Sequence, residues 1–212
     1  DTLSSSTAIK KTFDTYFSIP EDHPNTFFDP IKTFAKTCDD EQTLTQHINT
    51  QLKTLDYPLS YGFHIRLARL YNKHEYLESA RHWTQQLIDT YGRFAETAFG
   101  LHFSILNKQH QHARVLELFD TYKLHDTCLA GIWYEYITAL CHEERYEHVI
   151  DSFHRFLTET DYFIPCRFFL ICSYILEHNG HQDESQSLLA WLETTRQQYP
   201  DIDRLDRDQQ TS

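Results

Sequence analysis

Four polar residues fall on one beat of this chain: Asn72, Asn107, His142 and His178 follow one another by steps of 35, 35 and 36. Amide and imidazole groups repeated along the edge of a groove can hold the main chain of an extended peptide, so the column is a candidate peptide grip. The same polarity also suits helix ends, whose last carbonyls need partners. Arg66 and Arg69, with Tyr71 near them, form a second candidate set. Guanidinium groups bind carboxylate or phosphate, while as ordinary surface charges these two would balance Glu75 and Glu78. Tyr134 and Phe168 are the aromatics left over for a partner, because Trp133 and Phe169 keep the spacing of a core stripe.

Other chemistry is less well served. His102, His110 and His112 suggest zinc, but histidines at i and i+2 on a helix point to different sides, and no Cys lies at the usual short spacing. Cys141, His142 and Glu143 are adjacent and diverge in the same way. Cys141 and Cys172 sit on core-facing stripes, where a thiol is inert unless a base touches it. The chain has no GxSxG, no HExxH and no glycine-rich phosphate loop. The expectation is a non-enzymatic protein with no cofactor and no metal.

The elements that must position these residues follow from the apolar spacing. In 131–160, Trp133, Tyr136, Ile137 and Leu140, then Val149, Ile150, Phe153, Phe156 and Leu157, recur by steps of mostly three and four. That is the period of two helices, each with one buried face. The polar knuckle His142–Tyr146 is short enough to fold them into an antiparallel hairpin. Stepping by 35, then once by 36, gives Phe28, Phe63, Ala98, Trp133 and Phe169. The same stepping gives Ala35, Leu70, Ile105, Leu140 and Leu176, and in the second helices Ile48, Trp83, Leu118, Phe153 and Leu189. All fifteen are apolar in a chain that is 40% apolar, an outcome chance would give about once in a million registers.

The spacing therefore predicts an all-α chain: a right-handed α-solenoid of about five antiparallel helix hairpins with a 35-residue period, its concave face lined by the first helices. The hairpins run near 28–55, 60–91, 94–124, 128–160 and 164–199, within a repeat domain of 28–199. Residues 1–27 hold an amphipathic helical segment followed by a loop at 21–26, and 200–212 form a polar tail. Asp29-Pro30 reads as the start of the first helix, and Leu59-Ser60 as the cap of the third. Tyr91-Gly92 ends the second hairpin, and Asn179-Gly180 is a knuckle with a left-handed turn residue.

Composition narrows the class. The formal charge of −12 opposes general nucleic-acid binding, which requires a surplus of Lys and Arg. Five cysteines without a CxxC pair read as reduced thiols in an intracellular compartment, cytoplasmic or mitochondrial. No apolar run of 18 residues exists, so no membrane span is expected. The absence of Met reads as a mature chain or an excised segment.

The pattern resembles the tetratricopeptide and pentatricopeptide repeat families over about 170 residues. The 35-residue period and Ile137, Leu140-Cys141, Arg145-Tyr146 and Phe153 are similar to the pentatricopeptide class. Leu67-Ala68, Tyr71 and Ala80 are similar to the tetratricopeptide class. The resemblance implies a helical-repeat binding module or scaffold. Pentatricopeptide proteins read one base per repeat through polar residues at the fifth helix-A position and the unit end. Here those places hold Ile65, Gly100, Glu135 and Ile171, with Ala95 and Ala130 at two unit ends. Carboxylate-gripping tetratricopeptide grooves repeat Lys, Arg and Asn, a set that Arg66 and Arg69 begin and Gly100, Leu101, Glu135 and Tyr136 do not continue. The expected partner is a protein or peptide, with Arg66, Arg69, Asn72, Asn107, Tyr134, Glu135, His142, Phe168 and His178 as contact candidates. A pentatricopeptide-like RNA-associated factor, plausibly organellar, is the alternative.

Overall fold

The computed structural model describes residues 23–55, 59–127, 129–159 and 166–198. Among them it is entirely helical, with ten α-helices and no strand. The predicted segment at 1–19 and the tail at 200–212 lie outside the described residues, as does the opening of the last hairpin at Ile164-Pro165. No helix among the described residues is long and apolar enough to cross a membrane.

The chain divides into two compact units at Ile105–Leu106. The first contains α1 (His23–Ala35), α2 (Glu41–Leu52), α3 (Tyr61–Lys73), α4 (Leu77–Tyr91) and most of α5 (Glu96–Lys108). Helix α1 packs on α2 and on α3, and α3 packs on α4. Phe28, Ile31, Ala35, Leu44, Ile48, Phe63, Leu67, Tyr71 and Ala80 form one buried cluster. Phe63 meets Phe28 edge-on, with ring centroids 5.7 Å apart. The Ser60 side chain accepts from the Phe63 amide at 3.2 Å and starts α3, as its position predicts. Gly92, at φ +57°, follows the last residue of α4.

The second unit contains α6 (His112–Thr121), α7 (Ala130–His142), α8 (Glu147–Glu159), α9 (Cys166–His178) and α10 (Gln182–Gln198). Here α6 packs on α7, α7 on α8 and on α9, and α9 on α10. Its core is aromatic. Phe119 stacks on Tyr136 at 3.8 Å and meets Trp133 edge-on at 5.3 Å. Phe153, Phe169 and Trp191 gather at centroid distances of 5.0 to 6.5 Å.

Of the fifteen periodic apolar positions, thirteen are buried. The two departures are in second helices. Trp83 is only partly buried because the neighbouring Thr84 takes the innermost place in α4, at 0% exposure. Leu189 is 39% exposed and Leu188 is fully buried instead, so the buried beat in α10 falls one residue early. The helix start at Asp29-Pro30 also needs correction: α1 begins at His23, covers part of the expected 21–26 loop and carries Pro30 in its interior. The buried stripe Phe28, Ile31, Ala35 runs through that dipeptide at helical spacing, and burying it outweighs the one amide that Pro30 lacks.

Four knuckles between paired helices share one backbone motif. Glu75, His110, Glu144 and Gly180 all have positive φ, at 61°, 58°, 57° and 85°. The next amide in each case, at Tyr76, Gln111, Arg145 and His181, donates to the carbonyl five residues back, at Tyr71, Leu106, Leu140 and Leu176, over 2.9–3.0 Å. This is the Schellman termination, in which a left-handed residue turns the chain and satisfies the last carbonyls. Only Gly180 supplies it without steric cost; the other three are L-residues in a conformation costing about 1–2 kcal/mol.

Candidate functional site

The Schellman register places the predicted polar column. Asn72 and Asn107 stand three residues before their left-handed residues, whereas His142 and His178 stand two before theirs. The four are therefore not structural equivalents. Asn72 is half-buried at the end of α3, and His142 and His178 are exposed at the ends of α7 and α9.

Three predicted residues do meet in the second unit, through a fourth that was singled out for zinc. The Asn107 amide nitrogen donates to the Glu135 backbone carbonyl at 2.9 Å and to Glu135 Oε2 at 2.8 Å. The backbone carbonyl oxygen can only accept, which fixes the amide's orientation and leaves Oδ1 facing His112 Nδ1 at 3.0 Å. Oδ1 can only accept, so His112 carries its proton on Nδ1. The other face of the network is the His142 imidazole, stacked on His112 at 4.1 Å and 7°. The side chains of Asn107 and Glu135 thus tie the end of α5 to the middle of α7.

His112 is 8% exposed. Burial, then the facing His142 and, more weakly, His110, push its pKa below the usual histidine value, against an opposing pull from Glu143. In the first unit burial lowers His64 likewise, against its hydrogen bond to the Ser60 carbonyl at 2.8 Å. A histidine depressed in the fold binds fewer protons than the unfolded chain just below the unfolded pKa of about 6.5. Stability is then complete above that pH and falls as pH drops through it towards the folded pKa. The urea midpoint is expected to fall between pH 7.5 and 5.5, and His112→Gln to flatten the slope. A midpoint that holds or rises on acidification would contradict this sign.

The other candidates stand apart. Arg66 lies over the Phe28 ring at 5.1 Å, Arg69 is exposed, and Glu78 pairs with Arg81 at 2.7 Å. His102 is a core histidine, 2% exposed, with Nδ1 2.8 Å from the Thr84 hydroxyl. Among the described residues no three His, Cys, Asp or Glu side chains converge as metal ligands would. Tyr134 is half-buried on α7, and the Phe168 side chain lies outside the described ones.

Helix α9 adds a feature that the 35-residue beat does not mark. Helix α9 buries Phe169, Cys172, Ser173 and Leu176 and exposes Leu170, Ile171 and Tyr174 at 48%, 45% and 60%. Those three occupy one side of the helix, ending at His178, whose Nε2 lies 3.1 Å from the Tyr174 hydroxyl. The signal was available: Phe168 to Leu176 is apolar but for Ser173, leaving α9 no solvent-adapted face over most of its length. An apolar side of this kind can lose water only by covering itself with another surface.

No family model, no curated protein and no solved structure matches this chain.

Proposed function

We propose that the chain is a non-catalytic helical-repeat binding module: a right-handed α-solenoid of about five hairpins, of tetratricopeptide- or pentatricopeptide-like kind, that holds a protein or peptide partner. The observation that carries the binding role is the exposed Leu170–Ile171–Tyr174 side of α9. Aromatic and aliphatic side chains grouped in this way are what interface centres are made of. The stacking of hairpins is supported by the left-handed residues at 75, 110, 144 and 180, spaced 35, 34 and 36 apart. It is supported too by first helices packing on the next first helix within each unit, α1 on α3 and α7 on α9. The non-catalytic reading is supported by how the polar candidates spend their hydrogen bonds on one another, Asn107 on Glu135 and His112 above all. With a chain charge of −12 and Glu177 exposed beside the apolar side, the fitting partner is an apolar segment flanked by Lys or Arg.

The test is selection from a displayed random-peptide library on the wild-type chain, with binding then measured to Ile171→Asp/Tyr174→Asp. Both residues are exposed, so the variant should melt with the wild type. Selected peptides should be apolar with basic flanks, and the variant should bind them at least about tenfold more weakly, as loss of an interface centre requires. Equal affinity would remove α9 as the contact. A parallel arm titrates salt against a randomised single-stranded RNA pool; binding that weakens steeply with salt would replace this reading with RNA association.

A further inference from the structure

Charge is unevenly spread along this acidic chain. Helices α1 and α3, with Lys36 just past the end of α1, carry five Lys and Arg residues and one acid, Asp29. The whole chain has 19 Lys and Arg against 31 Asp and Glu, so the remainder is more acidic than the total suggests. Lys32, Lys36, Arg69 and Lys73 are exposed, and Arg66 is half-buried. Among the described residues no carboxylate lies within 4.0 Å of the Lys32, Lys36, Arg69 or Lys73 head groups. Glu78, one acid that the sequence offers them, is held by Arg81 at 2.7 Å instead.

Packing sets these cations side by side. The Arg66 guanidinium lies over the Phe28 ring at 5.1 Å, and Phe63 meets the same ring edge-on. The first half of α3 is thereby held against Phe28 of α1. The last turn of α3 reaches the start of α2, which follows the end of α1 after a short turn: the Tyr71 and Thr45 hydroxyls lie 3.0 Å apart. With both ends placed in this order, α1 and α3 run in the same direction. Lys32 and Lys36 follow Phe28 by four and eight positions, on the side turned away from Phe34, which stacks on His47 of α2. Arg69 and Lys73 follow Arg66 by three and seven positions and share its side of α3. The result is two adjacent rows, Lys32 and Lys36 along α1 and the turn after it, and Arg66, Arg69 and Lys73 along α3.

We propose that these two rows are a docking surface for an acidic segment of a partner protein, an extended run of Asp and Glu side chains. Guanidinium forks take carboxylates two oxygens at a time, and Arg66 is held in place by its contact with Phe28. From Arg66 to Lys73 the rise is about 10 Å, a length that about three or four residues of extended peptide span. Charge spread along two helices fits carboxylates spaced along a chain rather than a single terminal carboxylate. The short length of the rows also selects the partner. A long polyanion such as RNA would run past them, where the acidic remainder of the chain repels it. A short carboxylate run stays within them. The rows belong to the first unit, and the exposed side of α9 belongs to the second.

The experiment measures the fluorescence anisotropy of a labelled hexaglutamate peptide, acetylated and amidated at its ends, titrated with the full-length chain. Binding is expected at low salt and should weaken as salt rises. Lys32→Glu/Arg69→Glu/Lys73→Glu should bind at least about tenfold more weakly. It should melt with the wild type, because all three side chains are exposed. The milder Lys32→Gln/Arg69→Gln/Lys73→Gln should also lose affinity, without adding carboxylates. Lys53→Glu/Arg114→Glu/Arg145→Glu makes the same change of charge at exposed positions outside the rows and should keep its affinity. An equal loss there would reduce the effect to net charge and overturn the proposal. Ile171→Asp/Tyr174→Asp should keep its affinity for this peptide, which separates this surface from that on α9. No binding at low salt would overturn the proposal, as would single-stranded RNA that binds the rows more tightly than the peptide at equal salt.

Discussion

Trp133→Ala is expected to lower the free energy of unfolding by about 3–5 kcal/mol, the usual cost of truncating a buried aromatic. The side chain is 1% exposed and meets both Phe119 and Tyr136 in edge-to-face geometry, at 5.3 and 6.2 Å between ring centroids. It also does polar work: the indole nitrogen donates to the Thr127 carbonyl at 3.0 Å, where the chain enters α7. Alanine would open a cavity beside Phe119 and leave a buried carbonyl short of a partner, two costs that add. Urea unfolding followed by circular dichroism measures the loss. A midpoint equal to wild type would mean that α6 and α7 do not pack through this residue.

Phe153→Ala should cost a similar amount, about 3–5 kcal/mol, by a different route. Phe153 is fully buried on α8 and touches Phe169 on α9 and Trp191 on α10. These contacts are ring against ring, so its loss is felt as lost packing shared by three helices. The effect should therefore concentrate in the second unit. Amides of α9 and α10 should exchange faster with solvent deuterium, and those of α1 to α3 should be unchanged. Faster exchange spread equally over both units would show that the chain unfolds as one block and would sink the local reading.

The helix count, the periodic core and the Ser60 cap were legible because each depends on a side-chain property that sequence records directly. Apolar spacing reports burial, and a hydroxyl before a helix reports a cap. What was not legible depends on neighbours in space. Thr84 displaces Trp83 from the innermost place because its hydroxyl has His102 to meet. Glu75, His110 and Glu144 take left-handed backbone at places where only Gly180 announces itself, because the Schellman bonds are made by main chain and tolerate any side chain that bears the strain. The polar column appeared as one set at a 35-residue beat; the backbone resolves it into two positions one residue apart. Asn107 looked like a free hydrogen-bonding group and proves to be occupied by Glu135 and His112.

The tight knuckles have a kinetic consequence. Helices that pack on their immediate successors, as α3 does on α4 and α9 on α10, close their contacts over short loops, and short loops lose little chain entropy on closing. Chains rich in such local contacts cross the folding barrier quickly, in microseconds to milliseconds for helical proteins of simple topology. A nascent hairpin such as α3–α4 can assemble as soon as its second helix is complete, without waiting for distant sequence. The order in which the chain is synthesised is then an order in which it can fold.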